Sequence, residues 1–403
     1  MTNKDLNFTK AIAPLTPASF FKDYWEQRPL VISERPANYY TELMTLADVD
    51  RILYSLKPDW KKLRLIRQGR HFARNFMHPD GTPNIVQVYR AYEQGYSLNL
   101  LDIQERWLPL AALARDWESF LHHSVSINLY LTPQNSRAFE PHFDDHDVFI
   151  LQIEGEKDWQ IWEPVVKLPS KEFTGNKFLP KDDLPSPAME THLKTGDLLY
   201  LPRGWGHAAS TGDGASLHLT VGVFVYTWSD LVDSILGVIN QQDLKFQNAL
   251  PVGFMRDTEV RETIKEDFYQ SINNFVQQAK LELGIEQLGE RLIRQMKDPL
   301  PGRYFSNIEQ LSRIDLKTLV TKKPGTFCQT TVKKDEIVVN YPGNQLKLPK
   351  SWENAIKNIS GNRQIVIEDF PGTNDEKLTF ARQMVRSGLL TIETEELTTP
   401  LGG

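Results

Sequence analysis

Three side chains of this 403-residue sequence have the types and spacing of a metal site. His142 and Asp144 are separated by one residue, so on an extended strand both side chains point to the same face. His207 follows residues 198–206, which read as a strand ending in a Pro/Gly turn that could direct the imidazole toward the other two. Two imidazoles and one carboxylate on one face of an octahedral ion suit Fe(II) and leave three positions for an organic co-substrate and O₂.

Neighbouring residues offer competing ligands. Asp145 and Asp147 share strand parity with each other but not with His142, so the geometry of a strand favours Asp144 as the carboxylate. His146 also flanks the motif. His-x-Asp alone is a weak signal, since a strand histidine is more often simply hydrogen-bonded, and the prediction therefore depends on the longer context. We predict no catalytic residue beyond the metal ligands.

The region around these residues has the pattern of a β-rich domain. Residues 124–131 alternate apolar and polar side chains, as a half-buried strand does. Further strand-like stretches occur at 148–153, 159–162, 197–201 and 216–226, with Gly- and Pro-containing turns between them. Many short strands separated by turns predict a sandwich or barrel, of which the jelly-roll cupin is one form.

The remainder of the chain changes character twice. Region 229–300 is helical with apolar faces, which we expect to pack on the barrel or on a second subunit. The last hundred residues mix short helices and strands in a small α+β pattern, for which we predict a winged helix. The predicted domains are therefore a catalytic domain at 1–228 with an N-terminal extension, a helical region at 229–300, and a winged-helix-like domain at 301–403.

Composition limits the function classes. The net charge of -6 does not favour a general nucleic-acid binder, so we expect no direct contact with nucleic acid. Cys328 is the single cysteine, which excludes an intrachain disulfide and a cysteine-based zinc site. The N-terminus is polar, and there is no apolar run of about 18 residues. We therefore expect a cytoplasmic protein that does not contact a membrane.

The context of the metal motif resembles a known family, the JmjC-type ribosomal oxygenases. These are cupin-fold protein hydroxylases found from bacteria to nucleoli. The matching segments follow in order over nearly the whole chain, at residues 21–30, 128–133, 139–157 and 196–207. The resemblance implies a mainly β catalytic domain with a double-stranded β-helix (the cupin/JmjC jelly roll), then a helical dimerisation region and a C-terminal winged-helix-like α+β domain. It also implies a homodimer.

The resemblance assigns roles by position. The three residues described above match the iron ligands, and Lys157 matches the basic residue that pairs with the distal carboxylate of 2-oxoglutarate. Asn128 and His218 match polar positions that line the co-substrate pocket. Some bacterial members have arginine in place of Lys157, and some lack the histidine of position 218. The implied activity is Fe(II)- and 2-oxoglutarate-dependent hydroxylation, with O₂, of a histidine or arginine side chain of a ribosomal protein.

Reasoning from the residues agrees with two of these roles. A buried carboxylate of a co-substrate needs a cationic partner, and Lys157 stands at the start of a strand rich in apolar residues. His218 shares a strand face with Ser216 and Thr220, and polar residues that face a barrel interior are best explained by a polar ligand. We also expect a basic substrate to enter an acidic mouth. Its carboxylates would be Glu140, Asp145 and Asp147.

Three alternatives remain open at this stage. A JmjC-type lysine demethylase would release formaldehyde, which distinguishes it from a hydroxylase. A non-enzymatic winged-helix regulator with a cupin sensor domain would bind a nucleic-acid duplex in a salt-dependent manner. The negative net charge of the chain and the lack of a clear basic recognition helix are evidence against this alternative. A cupin isomerase or dioxygenase of small molecules commonly uses more histidine ligands, and the extra domains would be unexplained.

Overall fold

The computed structural model describes residues 6–56, 60–72, 76–80, 82–175, 177–179, 184–296, 300, 304–361 and 363–393. The chain divides into two compact units, Met1–Val225 and Tyr226–Gly403. In the described part of the chain, no helix is long and apolar enough to cross a bilayer.

The first unit combines short helices with many strands, together with two 3-10 helices and one short π-helix in its described part. Its helices are α1 (Phe8–Ala11), α2 (Pro17–Asp23), α3 (Leu46–Arg51), α4 (Ile85–Glu93) and α5 (Leu108–Leu121). Its strands are β1 (Leu30–Ile32), β2 (Leu63–Arg67), β3 (Arg70–His71), β4 (Ser97–Leu100), β5 (Ser124–Thr132), β6 (Asp147–Gly155), β7 (Lys157–Trp162), β8 (Met189–Leu193), β9 (Leu198–Leu201), β10 (Gly206–Ser210) and β11 (Ser216–Phe224).

The strands form two antiparallel sheets. The larger has eight strands in the order β1-β9-β6-β11-β5-β4-β2-β3, and the smaller has the order β10-β7-β8. In the larger sheet β11 lies between β5 and β6, so His218 is opposite both Tyr130 and Gln152. Because paired residues point to the same side of a sheet, this register decides which side chains share the interior.

The two faces of the larger sheet pack differently, since successive side chains of a strand alternate between them. One face packs on the helices through Phe149 and Tyr200, together with Trp117 of α5. The other face packs on the smaller sheet, where Ile150 and Trp159 belong to one buried cluster. The two sheets thus enclose an interior, and the predicted β sandwich or barrel is confirmed.

The second unit has six α-helices and six strands in its described part, with the following bounds. The helices are α6 (Trp228–Gln242), α7 (Thr258–Gln278), α8 (Leu281–Gln295), α9 (Tyr304–Gln310), α10 (Glu353–Ser360) and α11 (Asn374–Arg386). The strands are β12 (Leu319–Lys322), β13 (Gln329–Val332), β14 (Glu336–Tyr341), β15 (Asn344–Pro349), β16 (Ile365–Val366) and β17 (Leu390–Ile392). They form two three-stranded sheets, β16-β12-β17 and β13-β14-β15.

Helix α8 connects the helical region to the following sheet. It packs against α6 so closely that a Cβ on Gly284 would lie 2.5 Å from the Ile235 side chain. It also receives a hydrogen bond from Gln329 of β13, whose Nε2 donates to the Glu286 carbonyl over 3.2 Å. Residues 297–299 and 301–303 are outside the described residues, so the domain boundary predicted at residue 300 stays a prediction.

Candidate metal centre

His142 and His207 meet as neighbours on two extended segments. His142 lies between β5 and β6, and His207 is the second residue of β10. Their backbones exchange two hydrogen bonds. The His142 amide donates to the His207 carbonyl over 3.1 Å, and the His207 amide donates to the His142 carbonyl over 2.7 Å. The pairing places both imidazoles on one side, with ring centres 4.5 Å apart. Long-range strand pairing, with the turn before β10, therefore brings the two histidines together.

Asp144 completes a group of three ligand-type side chains. One ligand atom from each of His142, Asp144 and His207 lies within 4.8 Å of the others. The Asp144 Oδ2 atom is 3.6 Å from His207 Nε2. The His142 Nδ1 atom lies 2.9 Å from the Glu140 carbonyl oxygen, and the His207 Nδ1 atom lies 3.1 Å from the Trp205 carbonyl oxygen. With Nδ1 donating to a carbonyl, each ring presents an unprotonated Nε2, the form that binds a metal.

Electrostatics keep His207 and Asp144 in the protonation states that a metal requires. Burial, helped by the neighbouring His142, lowers the pKa of His207 to about 4. Burial would raise the pKa of Asp144, but the nearby His146, His207 and His142 outweigh it and hold this pKa below its ordinary value. At neutral pH the site therefore has a neutral imidazole at His207 beside a carboxylate, a donor set that suits a divalent transition metal.

The competing carboxylates lie elsewhere. Asp145 accepts a hydrogen bond from Lys177 Nζ over 2.6 Å, and His146 Nδ1 lies 3.1 Å from its other oxygen. Asp147 is 0% exposed and accepts a hydrogen bond from the Tyr200 hydroxyl on the helix-covered face of the sheet, and burial raises its pKa to about 7. The acidic mouth expected from the sequence is therefore wrong for Asp147, which is in the core because its parity is opposite to that of Asp144.

Lys157 extends into the interior between the two sheets. Its side chain is 3% exposed, and its Nζ donates to the Thr132 hydroxyl over 2.9 Å. Burial lowers the pKa of Lys157 to about 7. Among the described residues no carboxylate pairs with it, so the ammonium is buried without a counter-ion, which is costly unless an anionic ligand supplies one.

His218 and Trp159 are near both Lys157 and the metal ligands, since Trp159 contacts His207 and Lys157 acts electrostatically on His218. The His218 ring stacks on Tyr130 at 5.0 Å, and the Trp159 ring contacts both His218 at 5.6 Å and His207 at 6.2 Å. Burial and Lys157 together lower the pKa of His218 well below its usual value. The His218 Nδ1 and Trp159 Nε1 atoms are buried and have no hydrogen-bond partner among the described residues. Two unpartnered polar atoms beside a buried cation fit a polar, anionic co-substrate.

Asn128 has a different local role. It is opposite Thr220 on β11, so it shares the interior face with Tyr130 and Thr132. Its Oδ1 accepts a hydrogen bond from the Asp102 amide over 3.0 Å and so fixes the connection after β4. The structure thus brings Asn128 to the predicted face, with its amide oxygen directed at the backbone.

Sequence reasoning missed three residues of this interior. Thr132 is the hydrogen-bond partner of Lys157, Tyr130 stacks on His218, and Trp159 contacts a predicted metal ligand. Strand parity could have found them. Tyr130 and Thr132 continue the face of Asn128, and Trp159 is two residues after Lys157.

Comparisons with known proteins identify the domain that contains the three ligand-type residues. A family model described as the JmjC domain matches residues 103–231, which include all three ligand-type residues. A solved structure of Escherichia coli YcfD, described as a ribosomal oxygenase in complex with cobalt and 2-oxoglutarate, superimposes with a TM-score of 0.56. The match covers 94% of this chain and 99% of YcfD at 17% sequence identity, which shows the fold. The chain thus has a JmjC domain with a cupin-like fold.

Sequence similarity to named proteins relates the chain to particular JmjC-domain enzymes. The chain is 30% identical, over 75% of its length and 42% of the relative, to a Drosophila persimilis protein named bifunctional lysine-specific demethylase and histidyl-hydroxylase NO66. It is 33% identical to human ribosomal oxygenase 1 over 62% of this chain and 40% of that protein. It spans less than half the length of these two relatives. These relatives, the JmjC domain match and the YcfD-like fold together support a JmjC-type ribosomal oxygenase family for this chain.

Proposed function

We propose that this protein is an Fe(II)- and 2-oxoglutarate-dependent oxygenase that hydroxylates a histidine or arginine side chain of a ribosomal protein in the cytoplasm. In this reaction 2-oxoglutarate and O₂ are converted to succinate and CO₂, and one oxygen atom enters the C–H bond of the acceptor. The proposal combines the interior of the first unit with the ribosomal oxygenase family that the comparisons support.

One observation carries the proposal. A buried lysine without a described counter-ion, Lys157, lies in the same interior as the group His142, Asp144 and His207. The Trp159 ring contacts the rings of both His207 and His218. His218 is in turn close enough to Lys157 for the lysine to help lower the pKa of His218. A metal site and a separate anion site joined in this way fit a co-substrate that chelates the metal at one end and has a carboxylate at the other.

The protein's own residues then have separate tasks. His142, Asp144 and His207 would hold the iron, which supplies the redox chemistry that activates O₂. Lys157 and Thr132 would bind the far carboxylate, and the Trp159 N–H, which has no hydrogen-bond partner among the described residues, offers a further donor. The apolar cluster of Ile150, Leu199 and Leu201 excludes water from this interior.

Turnover with a defined acceptor mixture tests this function. The full chain, loaded anaerobically with Fe(II), is supplied with O₂, 2-oxoglutarate and acid-extracted ribosomal proteins, and succinate is measured. We expect the ribosomal proteins to stimulate succinate release and to gain one oxygen atom per modified side chain. Succinate release that is unchanged by ribosomal proteins, with no added oxygen, would contradict the proposal.

A second candidate is lysine demethylation, because the Drosophila relative is named as both a demethylase and a histidyl-hydroxylase. Removal of a methyl group through hydroxylation releases formaldehyde, whereas hydroxylation of histidine or arginine leaves the oxygen on the protein. The same reaction mixture, assayed for formaldehyde with a methyl-lysine peptide as acceptor, separates the two activities.

The affinity for 2-oxoglutarate is expected to fall as the pH rises above 7. Burial lowers the pKa of Lys157 to about 7, so the ammonium that pairs with the carboxylate is present below this pH and is lost above it. Binding at higher pH must then take up a proton, which weakens the apparent affinity by at most about tenfold per pH unit. Calorimetric titration of the metal-loaded chain with 2-oxoglutarate, repeated from pH 6.5 to 9, measures this change in affinity.

The matched control for this pH dependence is Lys157→Arg, because the guanidinium stays charged throughout the range. The variant should bind 2-oxoglutarate with an affinity that is nearly independent of pH, whatever its absolute value. A wild-type affinity that does not change between pH 7 and 9 would contradict a neutral Lys157 in the free protein.

We also propose that the helical region of the second unit forms a homodimer and that the C-terminal part is winged-helix-like. Helix α7 has no buried residue, and Phe268 and Ile272 on it are 57% and 41% exposed. A second copy would remove this apolar face from water. Light scattering at micromolar concentration should give a dimer, and Ile272→Asp should shift it to a monomer.

The control for the dimer is Val165→Asp, at a residue 65% exposed in the connection between β7 and β8. It places the same charge on an exposed apolar residue outside the helical region and should leave the dimer intact. A wild-type monomer at this concentration would count against the proposed interface.

A further inference from the structure

The turn between β9 and β10 supports two of the three metal-ligand candidates. The Trp205 amide donates to the Pro202 carbonyl over 3.2 Å and closes a turn at residues 202–205. The Gly204 amide donates to the backbone carbonyl of Asp144 over 2.8 Å, and the Trp205 carbonyl oxygen lies 3.1 Å from His207 Nδ1. A shift of the 202–205 turn would therefore move the Asp144 backbone and change the orientation of the His207 ring.

Arg203 attaches this turn to two segments that are distant in the sequence. The residue is 7% exposed, its Nε donates to Glu26 Oε1 over 2.8 Å, and its Nη2 lies 2.7 Å from the same oxygen. Its Nη1 donates to the Pro169 carbonyl over 3.0 Å. Because a guanidinium presents its donors in a fixed planar arrangement, these contacts together hold the turn in one position.

Glu26 adopts an unfavourable backbone conformation in order to make this contact. Its φ is 54°, in the left-handed region that residues with a side chain rarely adopt. Its amide donates over 2.8 Å to the hydroxyl of Tyr200 on β9, the strand that leads into the 202–205 turn. Backbone strain of this kind persists only where the surrounding contacts fix it, and it is concentrated at functional sites.

Stability alone does not account for the pair of Glu26 and Arg203. Taking a carboxylate and a guanidinium out of water costs free energy that their attraction only partly returns, and apolar residues of similar size would often stabilise the fold as well or better. The pair instead provides a fixed geometry at the turn that contacts Asp144 and His207.

We propose that Arg203 and Glu26 are positioning residues for the metal centre, which act through the 202–205 turn on His207 and on the Asp144 backbone. Neither residue belongs to the ligand group itself. The inference rests on the proposed function, since it takes the three-residue group to be a metal site, and it adds the residues that keep this site in shape.

Binding of Co(II) tests this role without turnover, because Co(II) accepts the same nitrogen and oxygen ligands and its visible spectrum depends on their arrangement. The metal-free full chain is titrated with Co(II) by calorimetry, and the spectrum is recorded. Arg203→Lys, which keeps the charge but loses the planar donors, and Glu26→Ala should each weaken Co(II) binding by about 10–100-fold and alter the spectrum, as expected for loss of an outer-sphere partner. Asp144→Ala should lose the spectrum and so identifies the signal of this site.

The matched control is Glu118→Ala, at a second buried pair of glutamate and arginine in the same unit. Glu118 on α5 accepts hydrogen bonds from Arg115 over 2.8 Å and from the Val125 amide over 3.2 Å, and neither partner belongs to the 202–205 turn. The variant should have a lower melting temperature, while its Co(II) affinity and Co(II) spectrum should be those of the wild type.

The outcomes separate this inference from the proposed function. Wild-type affinity and spectrum in Arg203→Lys and Glu26→Ala, or an equal loss of affinity in Glu118→Ala, would overturn the positioning role and leave the metal centre intact. Circular dichroism establishes that each variant is folded, and if Glu26→Ala is unfolded, the milder Arg203→Lys decides the question. Absence of Co(II) binding by the wild type would overturn both the metal centre and the positioning role.

Discussion

Asp144→Ala is expected to abolish iron-dependent turnover while leaving the fold intact. The carboxylate belongs to the three-residue ligand group, and its side chain is half-buried and lines the interior. The hydrogen bond from the Gly204 amide goes to the Asp144 backbone carbonyl, so it survives the substitution. Loss of an outer-sphere partner of a metal ligand costs about 10–100-fold in affinity or activity, and loss of a ligand should cost more than this. Metal content and succinate release report the two effects.

The neighbouring carboxylate provides the matched control. Asp145→Ala removes the same group one position later, and the structure pairs that group with Lys177 outside the ligand set. It should retain iron and 2-oxoglutarate turnover, and circular dichroism should show that both variants are folded. Full activity in Asp144→Ala, or loss of iron in Asp145→Ala with retention in Asp144→Ala, would contradict the assignment of the carboxylate ligand.

Lys157→Ala is expected to weaken 2-oxoglutarate binding by about 10–150-fold. A hydrogen bond to a charged group contributes roughly 1.5–3 kcal/mol, and each 1.4 kcal/mol corresponds to a factor of ten. The buried Lys157 ammonium has Thr132 as its hydrogen-bond partner and would gain the far carboxylate as a second. Calorimetric titration with 2-oxoglutarate measures the effect, and iron content should change little because Lys157 is outside the ligand group.

An exposed lysine controls for a general effect of charge. Lys171 lies in the connection between β7 and β8, with its side chain 55% exposed beside Glu172. Lys171→Ala changes the net charge by the same amount and should bind 2-oxoglutarate like wild type. Unaltered affinity in Lys157→Ala would mean that another cation binds the far carboxylate.

The metal site could be predicted from the sequence because it depends mainly on short spacings and on a turn, which the sequence shows directly. One-residue spacing places His142 and Asp144 on one face of an extended segment, and the turn before β10 directs His207 back toward them. The extended geometry holds across His142 even though β6 begins at Asp147, because the backbone of residue 142 pairs with that of residue 207. Alternating polarity likewise predicted β5, and the other strand-like stretches correspond to β6, β7, β9 and β11.

Contacts between distant segments could not be predicted in the same way. Lys157 meets Thr132 because β7 and β5 belong to sheets that face each other, a packing that strand patterns do not specify. Phe178 reaches His142 through a short ladder formed by the connection between β7 and β8. Asp147 resembled a surface acid in the sequence because its buried partner, Tyr200, is 53 residues away.

The most direct test of the central claim is mass spectrometry of ribosomal proteins from cells with the wild-type chain and with Asp144→Ala. We expect a histidine or arginine of one ribosomal protein to have a mass increased by one oxygen atom in the wild-type cells and an unmodified mass in the variant cells. Identical masses for every histidine- and arginine-containing ribosomal peptide in the two samples would contradict the account.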